Sequence, residues 1–395
     1  MKIINDEERI KDILERGVEN IFVKETLKEK LYSGKKLKVY LGIDPTGPTL
    51  HMGHVIPLMK LKKFQDLGHK VFLLIGDFTA MIGDPTDKGS ARKQLSKKEV
   101  LSNLKNYKKQ ASKFISFSGK NATELKFNSK WFGKMKFEEV LSLASKTTVD
   151  QMLKRDMFAR RQEEGKPIFG HEIFYPLMQG YDSVMLDADV EIGGNDQTFN
   201  MLVGRDLARE ILNKDKSVMA MKILADNTGK KMGKTEGNMV SFLDTNFEMF
   251  GKIMSWNDSL IYSGFELCTD LSLEEIKKID LSNPKEAKLK LALEITKLYH
   301  GEKKALEAKE NWEKTFSKKE IPENIREIKA QKDSLLVDVL LQGSVLSSKG
   351  EWRRLVEQNA IHSLEDDSRI TDPNIKTDKD LTLKIGKKNF IKIKI

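Results

Sequence analysis

Residues 38–54 read Lys-Val-Tyr-Leu-Gly-Ile-Asp-Pro-Thr-Gly-Pro-Thr-Leu-His-Met-Gly-His. The first six alternate and favour a strand, Lys38–Ile43. Asp44-Pro45-Thr46-Gly47-Pro48 is a turn by composition. An amphipathic helix then runs from about Met52 to Leu67, with Val55, Leu58, Met59 and Phe64 spaced in turns, and Gly68 stands where a helix cap belongs. Val71–Ile75 follows as a buried strand. Strand, helix and strand within about 40 residues make a βαβ unit, which predicts a parallel sheet. A second such region spans Val184–Ile192, a helix from about Thr198 to Leu212, and Val218–Leu224.

Outward from these units, residues 7–33 show helical spacing through Ile10, Ile13, Leu14, Val18, Ile21 and Phe22. Residues 246–312 are mostly helical, with stretches at Leu273–Ile276, Lys285–Tyr299 and Lys303–Phe316. The charged segment 317–332, which contains Pro322, reads as a linker. From Asp333 the pattern changes to two short helices, Leu335–Gln342 and Lys349–Asn359. An alternating tail follows, Leu381–Ile385 and Phe390–Ile395. The chain is thus expected to be α/β: a parallel-sheet domain over 1–240 with a basic connective insertion at about 88–150, a helical domain over 241–320, a linker at 321–332, and a small α+β module over 333–395.

The 395 residues suit two or three domains, and 39% hydrophobic with 32% charged residues is a globular balance. The single cysteine, Cys268, excludes a disulfide framework and a zinc site built on cysteines. No apolar run approaches the ~18 residues of a membrane helix. The opening Met1–Glu8 turns acidic at once and lacks a signal-peptide core, so a cytoplasmic location and no membrane partner are expected.

The formal net charge of +10 is unevenly spread. Residues 88–136 hold 14 Lys or Arg against Glu99 and Glu124, more than the whole basic excess. The last twenty residues carry seven Lys against Asp378 and Asp380. Two readings stand: a solvated lysine-rich surface, or a surface that faces a polyanion. Phe114, Phe117, Phe127, Trp131 and Phe132 lie among the lysines and read mostly as core.

Four motifs could carry chemistry. His51 and His54 share one face of a helix start directly after a strand and turn, where free N–H groups and the helix dipole attract phosphate. The alternatives are two surface histidines or a metal pair, the latter weakened by the absence of an adjacent acidic base. Lys230-Lys231-Met232-Gly233-Lys234-Thr235 suits a mobile clamp on polyphosphate, or is a plain lysine-rich loop; its glycine spacing is not that of a Walker loop. Ile192-Gly193-Gly194-Asn195-Asp196-Gln197 ends a strand, and Asp196 suits a ribose hydroxyl or a helix cap. Tyr175, Gln179 and Asp182 fall on one helical face, fit for a small polar ligand or for solvent. Pro176 places Tyr175 at that helix's entrance.

Taken together, order and spacing are specific. Asp44-Pro45-Thr46 followed by His51-Met52-Gly53-His54 resembles the class I aminoacyl-tRNA synthetase signature His-Ile-Gly-His, with Met for Ile. Lys231-Met232-Gly233-Lys234-Thr235 is similar to the matching Lys-Met-Ser-Lys-Ser loop, with Gly and Thr for the two Ser. Ile82-Gly83-Asp84-Pro85, the Tyr-x-x-x-Gln-x-x-Asp face and Gly194-Asn195-Asp196-Gln197 resemble the tyrosyl-tRNA synthetases. The C-terminal module resembles an RNA-binding domain shared with a ribosomal small-subunit protein.

The resemblance, which spans about residues 10–395, implies a Rossmann-like catalytic domain, a helical anticodon-arm domain and an RNA-binding tail. It implies that Tyr40 and Asp182 bind the substrate phenol, and that Asp84, Tyr175 and Gln179 hold its ammonium group. Gln197 would lie near the reacting carboxylate. His51 and His54 would bind ATP phosphates. Asp44, Thr46, Gly53, Gly194 and Asp196 would complete the ATP site, and Lys88, Arg92, Lys231, Lys234 and Thr235 would clamp the departing pyrophosphate. ATP with Mg²⁺, tyrosine and tRNA(Tyr) are the implied substrates, with no tightly bound cofactor and no protein metal site. A homodimer is implied, with the basic insertion forming its contact and guiding the tRNA acceptor arm. The alternatives are a tryptophanyl-tRNA synthetase-like enzyme, a non-catalytic RNA-binding protein on the same fold, and a small-molecule nucleotidyltransferase.

Overall fold

A computed structural model describes residues 2–86, 94–153, 156–225, 240–317, 325–343, 345–364, 368–386 and 389–395. The chain divides into two compact units, Met1–Ala305 and Leu306–Ile395.

The first unit is built on a six-stranded sheet. Its strands are β1 (Val18–Phe22), β2 (Lys38–Ile43), β3 (Lys70–Ile75), β4 (Glu124–Phe127), β5 (Val190–Gly194) and β6 (Ser217–Met221), in the order β1-β6-β5-β2-β3-β4. Five strands run parallel, as the βαβ reading predicts; β1 pairs antiparallel with β6. Along β3 and β6 nearly every residue is buried, which is what a strand covered on both faces requires. From β2 the chain moves to β3 and β4 on one side and to β5 and β6 on the other. A crevice therefore opens between the carboxyl ends of β2 and β5, the position where such sheets bind ligands.

Several elements differ from the sequence reading. Residues 7–33 are not one helix: helices Glu7–Glu15 and Lys24–Tyr32 flank β1. Gly17, at φ 63°, ends the first helix, and pairing with Val218–Met221 settles the intervening residues as a strand. Val184 belongs to the helix Gly170–Met185, so the strand there begins only at Val190. That helix also starts earlier than Pro176 suggests, and the proline sits inside it, as Pro57 does in the helix Met52–Asp66. The expected insertion at 88–150 is interrupted, because Glu124–Phe127 joins the main sheet as β4 beside β3.

The helix Met52–Asp66 is buried along most of its length rather than amphipathic. Even Lys60 is buried, its ammonium donating to the carbonyls of Asp12 (3.1 Å) and Ile13 (2.7 Å) at the end of helix Glu7–Glu15. Desolvation holds its pKa well below the usual lysine range.

Two short helices of the basic segment, Lys97–Leu104 and Tyr107–Ala111, bury Val100, Tyr107 and Ala111 and grip the turn after β2. Asn103 Nδ2 donates to Pro45 O (2.9 Å), the Tyr107 hydroxyl to Gly47 O (2.6 Å) and Gln110 Nε2 to Pro48 O (3.2 Å). Gln110 Oε1 accepts from the Leu50 N–H (2.7 Å). Among the interleaved aromatics Phe114 and Phe132 are core, while Phe117, Phe127 and Trp131 are half-buried.

The second unit holds a four-stranded sheet of β7 (Arg326–Lys329), β8 (Ile361–Ser363), β9 (Leu381–Ile385) and β10 (Asn389–Lys394), ordered β7-β10-β9-β8. Helices Leu336–Gln342 and Lys349–Glu357 supply Leu336, Leu340 and Trp352 to a core that includes Ile361, Leu383 and Ile393. The expected linker at 321–332 is corrected here: Arg326–Lys329 pairs in parallel with β10, a contact that its charged composition hides.

Candidate active site

The chain segments that follow β2, β3, β4 and β5 converge on the crevice. Asp44, after β2, is half-buried, and its Oδ1 accepts from Thr79 Oγ1 (2.7 Å) and its Oδ2 from the Tyr175 hydroxyl (2.9 Å). Gly76, after β3, makes room for it: a Cβ there would lie 1.9 Å from Asp44 Oδ1. Thr46 is exposed beside it.

The helix Met52–Asp66 starts with a reciprocal cap. His51 Nδ1 accepts the Gly53 N–H (3.2 Å), and His54 Nδ1 accepts the His51 N–H (3.2 Å). The two rings lie 4.1 Å apart. A neutral imidazole whose Nδ1 accepts carries its proton on Nε2, so both rings present an N–H donor at a helix N-terminus. Gly53 is exposed between them. The chain returning after residues 226–239 passes alongside: the Met52 N–H donates to Val240 O (3.0 Å) and the Phe242 N–H to Leu50 O (3.1 Å). Lys231, Lys234 and Thr235 lie outside the described residues, as do Lys88 and Arg92. The described residues that flank the lysine loop therefore adjoin β6 on one side and the histidine pair on the other.

The helix Gly170–Met185 presents Tyr175, Gln179 and Asp182 inward; Tyr175 and Asp182 are buried and Gln179 is half-buried. Asp182 accepts from Trp131 Nε1 (2.9 Å) and from Asn128 Nδ2 (3.3 Å). Burial pushes its carboxyl well above the usual range, while those two donors work in the opposite sense. Asn128, fully buried after β4, also donates to Thr79 Oγ1 (3.0 Å) and accepts the Phe78 N–H (2.9 Å), so one amide ties Asp182 to Thr79 and through it to Asp44. Tyr40 packs in the cluster that Trp131 borders, but its hydroxyl shares a 2.7 Å hydrogen bond with Ser183. Ser183 Oγ also receives Lys216 Nζ (2.7 Å) and donates to Glu191 Oε2 (3.2 Å), and the Lys216 ammonium pairs with Glu191. Burial raises the Tyr40 phenol pKa, and Glu191 and Asp182 add to it.

Asp84 is buried and accepts from Thr86 and from Gln197 Nε2 (2.8 Å). Gln179 Nε2 donates to Glu191 Oε1 (3.1 Å). Gly194 ends β5, and Asp196 is exposed in the short 3-10 turn Asn195–Gln197. The structure thus gathers Tyr40, Asp44, Asp84, Tyr175, Gln179, Asp182 and Gln197 into linked networks and sets the histidine pair beyond the turn. Sequence reading missed Gly76, Thr79, Asn128, Trp131, Ser183, Glu191, Asn200 and Lys216. Gly76 carried one usable signal, its place just past the expected strand Val71–Ile75.

Comparison with known proteins gives a consistent result. A family model described as tRNA synthetases class I (W and Y) matches residues 32–317. A tyrosine–tRNA ligase of Thermotoga maritima is 43% identical, covering 98% of this chain and 97% of its own. One of Aquifex aeolicus is 42% identical over 96% and 97%. The crystal structure of a C-terminally truncated mitochondrial tyrosyl-tRNA synthetase of Aspergillus nidulans is similar at a TM-score of 0.65 and 25% identity, covering 78% of this chain and 94% of that one.

Proposed function

Because the chain belongs to the tyrosyl-tRNA synthetases, within the class I synthetases for tryptophan and tyrosine, we propose that the crevice between β2 and β5 joins tyrosine to ATP through the residues just described. The protein is an aminoacyl-tRNA ligase. It activates tyrosine with ATP to tyrosyl-adenylate and pyrophosphate, then transfers tyrosine to the terminal adenosine of tRNA(Tyr).

The observation that carries the site reading is the convergence of Asp44, Asp84, Tyr175, Gln179, Asp182 and Gln197 at the carboxyl ends of β2–β5, beside the His51/His54 pair. Asp182 receives the substrate's phenol hydrogen with the lone pairs left by Trp131 and Asn128, and Tyr40 borders the pocket. Phenylalanine lacks that hydroxyl and leaves a buried carboxylate without its partner, which costs binding. Asp84, Tyr175 and Gln179 face the ammonium group.

The tyrosine carboxylate then attacks the α-phosphorus: a new P–O bond forms and the bond to the β-phosphate oxygen breaks. The carboxylate is already ionised at pH 7, so the reaction needs no general base. What it needs is positioning and neutralisation of the charge that moves onto pyrophosphate. The Nε2 donors of His51 and His54 supply part of this at the helix N-terminus. Asp44, Thr46, Gly53, Gly194 and Asp196 complete the nucleotide site, and Lys88, Arg92, Lys231, Lys234 and Thr235 hold the leaving group. Mg²⁺ enters with ATP as part of that substrate.

The enzyme works in the cytoplasm as a homodimer. Supporting that pairing, Phe137 (76% exposed), Leu141, Val149, Phe169 and Phe174 leave apolar side chains exposed on helix Gly170–Met185, at its cap and on the two helices Phe137–Ala144 and Val149–Leu153 that pack on it. Among the described residues no helix is long and apolar enough to cross a membrane. The basic segment 88–136 and the lysine-rich tail face the tRNA. The tryptophan-specific alternative finds no support in the two full-length relatives, each named a tyrosine–tRNA ligase.

ATP–pyrophosphate exchange with tyrosine, tryptophan and phenylalanine in parallel tests the reading. Exchange with tyrosine alone is the expected result. Exchange with tryptophan would reassign the pocket, and none with any amino acid would overturn the site.

A further inference from the structure

A single hydrogen-bonded path runs beneath the tyrosine pocket from Lys216 through Glu191, Gln179, Asn200 and Gln197 to Asp84. Asn200 is its centre. It is fully buried, and its one amide nitrogen donates to Gln179 Oε1 (2.8 Å) and to Gln197 Oε1 (3.1 Å). Among the described residues its Oδ1 has no hydrogen-bond partner.

We propose that Asn200 is a positioning residue that fixes the orientation of both substrate-facing carboxamides; this rests on the reading of Gln179, Gln197 and Asp84 as tyrosine-binding groups. Both ends of the run are carboxylates, Glu191 and Asp84, which when ionised only accept. Each glutamine must therefore turn its NH₂ outward to a carboxylate and its carbonyl inward. Two carbonyls then converge on residue 200, and one group must donate to both. An amide NH₂ has the two hydrogens this needs; a hydroxyl has one and a carboxylate none. The Lys216 ammonium donates to Glu191, so the carboxylate at that end of the path is engaged as an acceptor on its other side as well. Asn200 is held this way at the cost of an orphaned buried oxygen, a penalty otherwise rare.

The test measures KM for tyrosine and for ATP in the exchange reaction, with thermal unfolding alongside, for N200A, N200D, Q179A and the double variant N200A/Q179A. N200D keeps the side-chain volume but puts an acceptor where a double donor is required, and it carries the test if N200A loses stability. Both substitutions at 200 are expected to raise KM for tyrosine about tenfold or more, the scale of a lost hydrogen bond to a charged group, with KM for ATP within about twofold. In the Q179A background N200A is expected to add less, because the part of its effect that passes through Gln179 is already lost and only the part through Gln197 remains. An unchanged KM for tyrosine, a fully additive double variant, or a parallel rise in both KM values with loss of melting temperature would overturn the proposal. If Q179A alone leaves KM for tyrosine unchanged, the pocket reading itself fails, and with it this route for Asn200.

Discussion

His69 is 1% exposed, its Nδ1 accepts the Leu37 N–H at 3.2 Å, and among the described residues its Nε2 has no partner. Burial lowers its pKa from 6.5 to about 4; Asp189 nudges it up and Lys36 down. The unfolded chain thus takes up a proton near pH 6.5 that the folded chain refuses until near pH 4. Stability contributed by the neutral ring is complete above pH 6.5 and is lost as pH falls through that window. Between pH 7 and pH 5 this one group costs about 2 kcal/mol. In His69→Asn the amide oxygen can still accept from Leu37, and nothing titrates there. Urea unfolding at the two pH values is therefore expected to show a smaller loss for the variant by about that amount; equal losses would refute it. At this scale the sequence revealed residues that stand beside one another, such as Asp44 to His54 and Gly194 to Gln197. It did not reveal Asn128, Asn200 or Lys216, whose roles exist only through partners brought in by the fold. A lone asparagine carries no local mark of the two amides it will meet.

The helices Gly170–Met185 and Thr198–Leu212 cross where Gly180 meets Gly204. A Cβ on Gly204 would lie 2.7 Å from Lys216 Nζ, 2.8 Å from Ser183 Oγ and 3.1 Å from Gly180 Cα. Lys216 cannot yield freely, since it also donates to Ser183, Glu191 and Met201 O. Gly204→Ala is therefore expected to destabilise by about 1–3 kcal/mol, the usual cost of overpacking. Gly251 sits within the helix Asn246–Met254 with nothing within 4 Å of a built Cβ. There the same substitution is expected to stabilise by up to about 1 kcal/mol. Chemical denaturation of the pair checks both signs. Elements were legible where one period dominated, as in β2, β3 and the helices from residue 246 onward. They were not where two periods fit: Val18, Ile21 and Phe22 suit a helix face as well as β1, and only Gly17 and the neighbouring β6 decide between them. Arg326–Lys329 is charged throughout except for Ile328 and becomes a strand because β10 lies beside it.

Over the whole molecule the charge is segregated, with residues 88–136 carrying more than the entire net +10. Phosphate contacts made by such a surface release counterions, so tRNA charging should be far more salt-sensitive than adenylate formation. Raising KCl from about 50 to about 200 mM is expected to lower kcat/KM for tRNA by about tenfold or more, while tyrosine-dependent exchange changes by less than about twofold. Equal sensitivity of the two reactions would place the tRNA elsewhere. Charge segregation was plain in the sequence, but the partition into units was not, because the boundary after Ala305 falls within the helix Glu302–Ser317 rather than in a loop. The grip of Asn103, Tyr107 and Gln110 on the turn after β2 has a consequence for heritable variation. Of its five hydrogen bonds three end on main-chain carbonyls and a fourth on a main-chain N–H, which every non-proline residue supplies alike; the fifth comes from the Thr49 hydroxyl to Gln110 Oε1 (3.3 Å). Apart from Thr49, the side chains of the turn are thus left out of the grip, and drift is penalised at the three gripping positions instead.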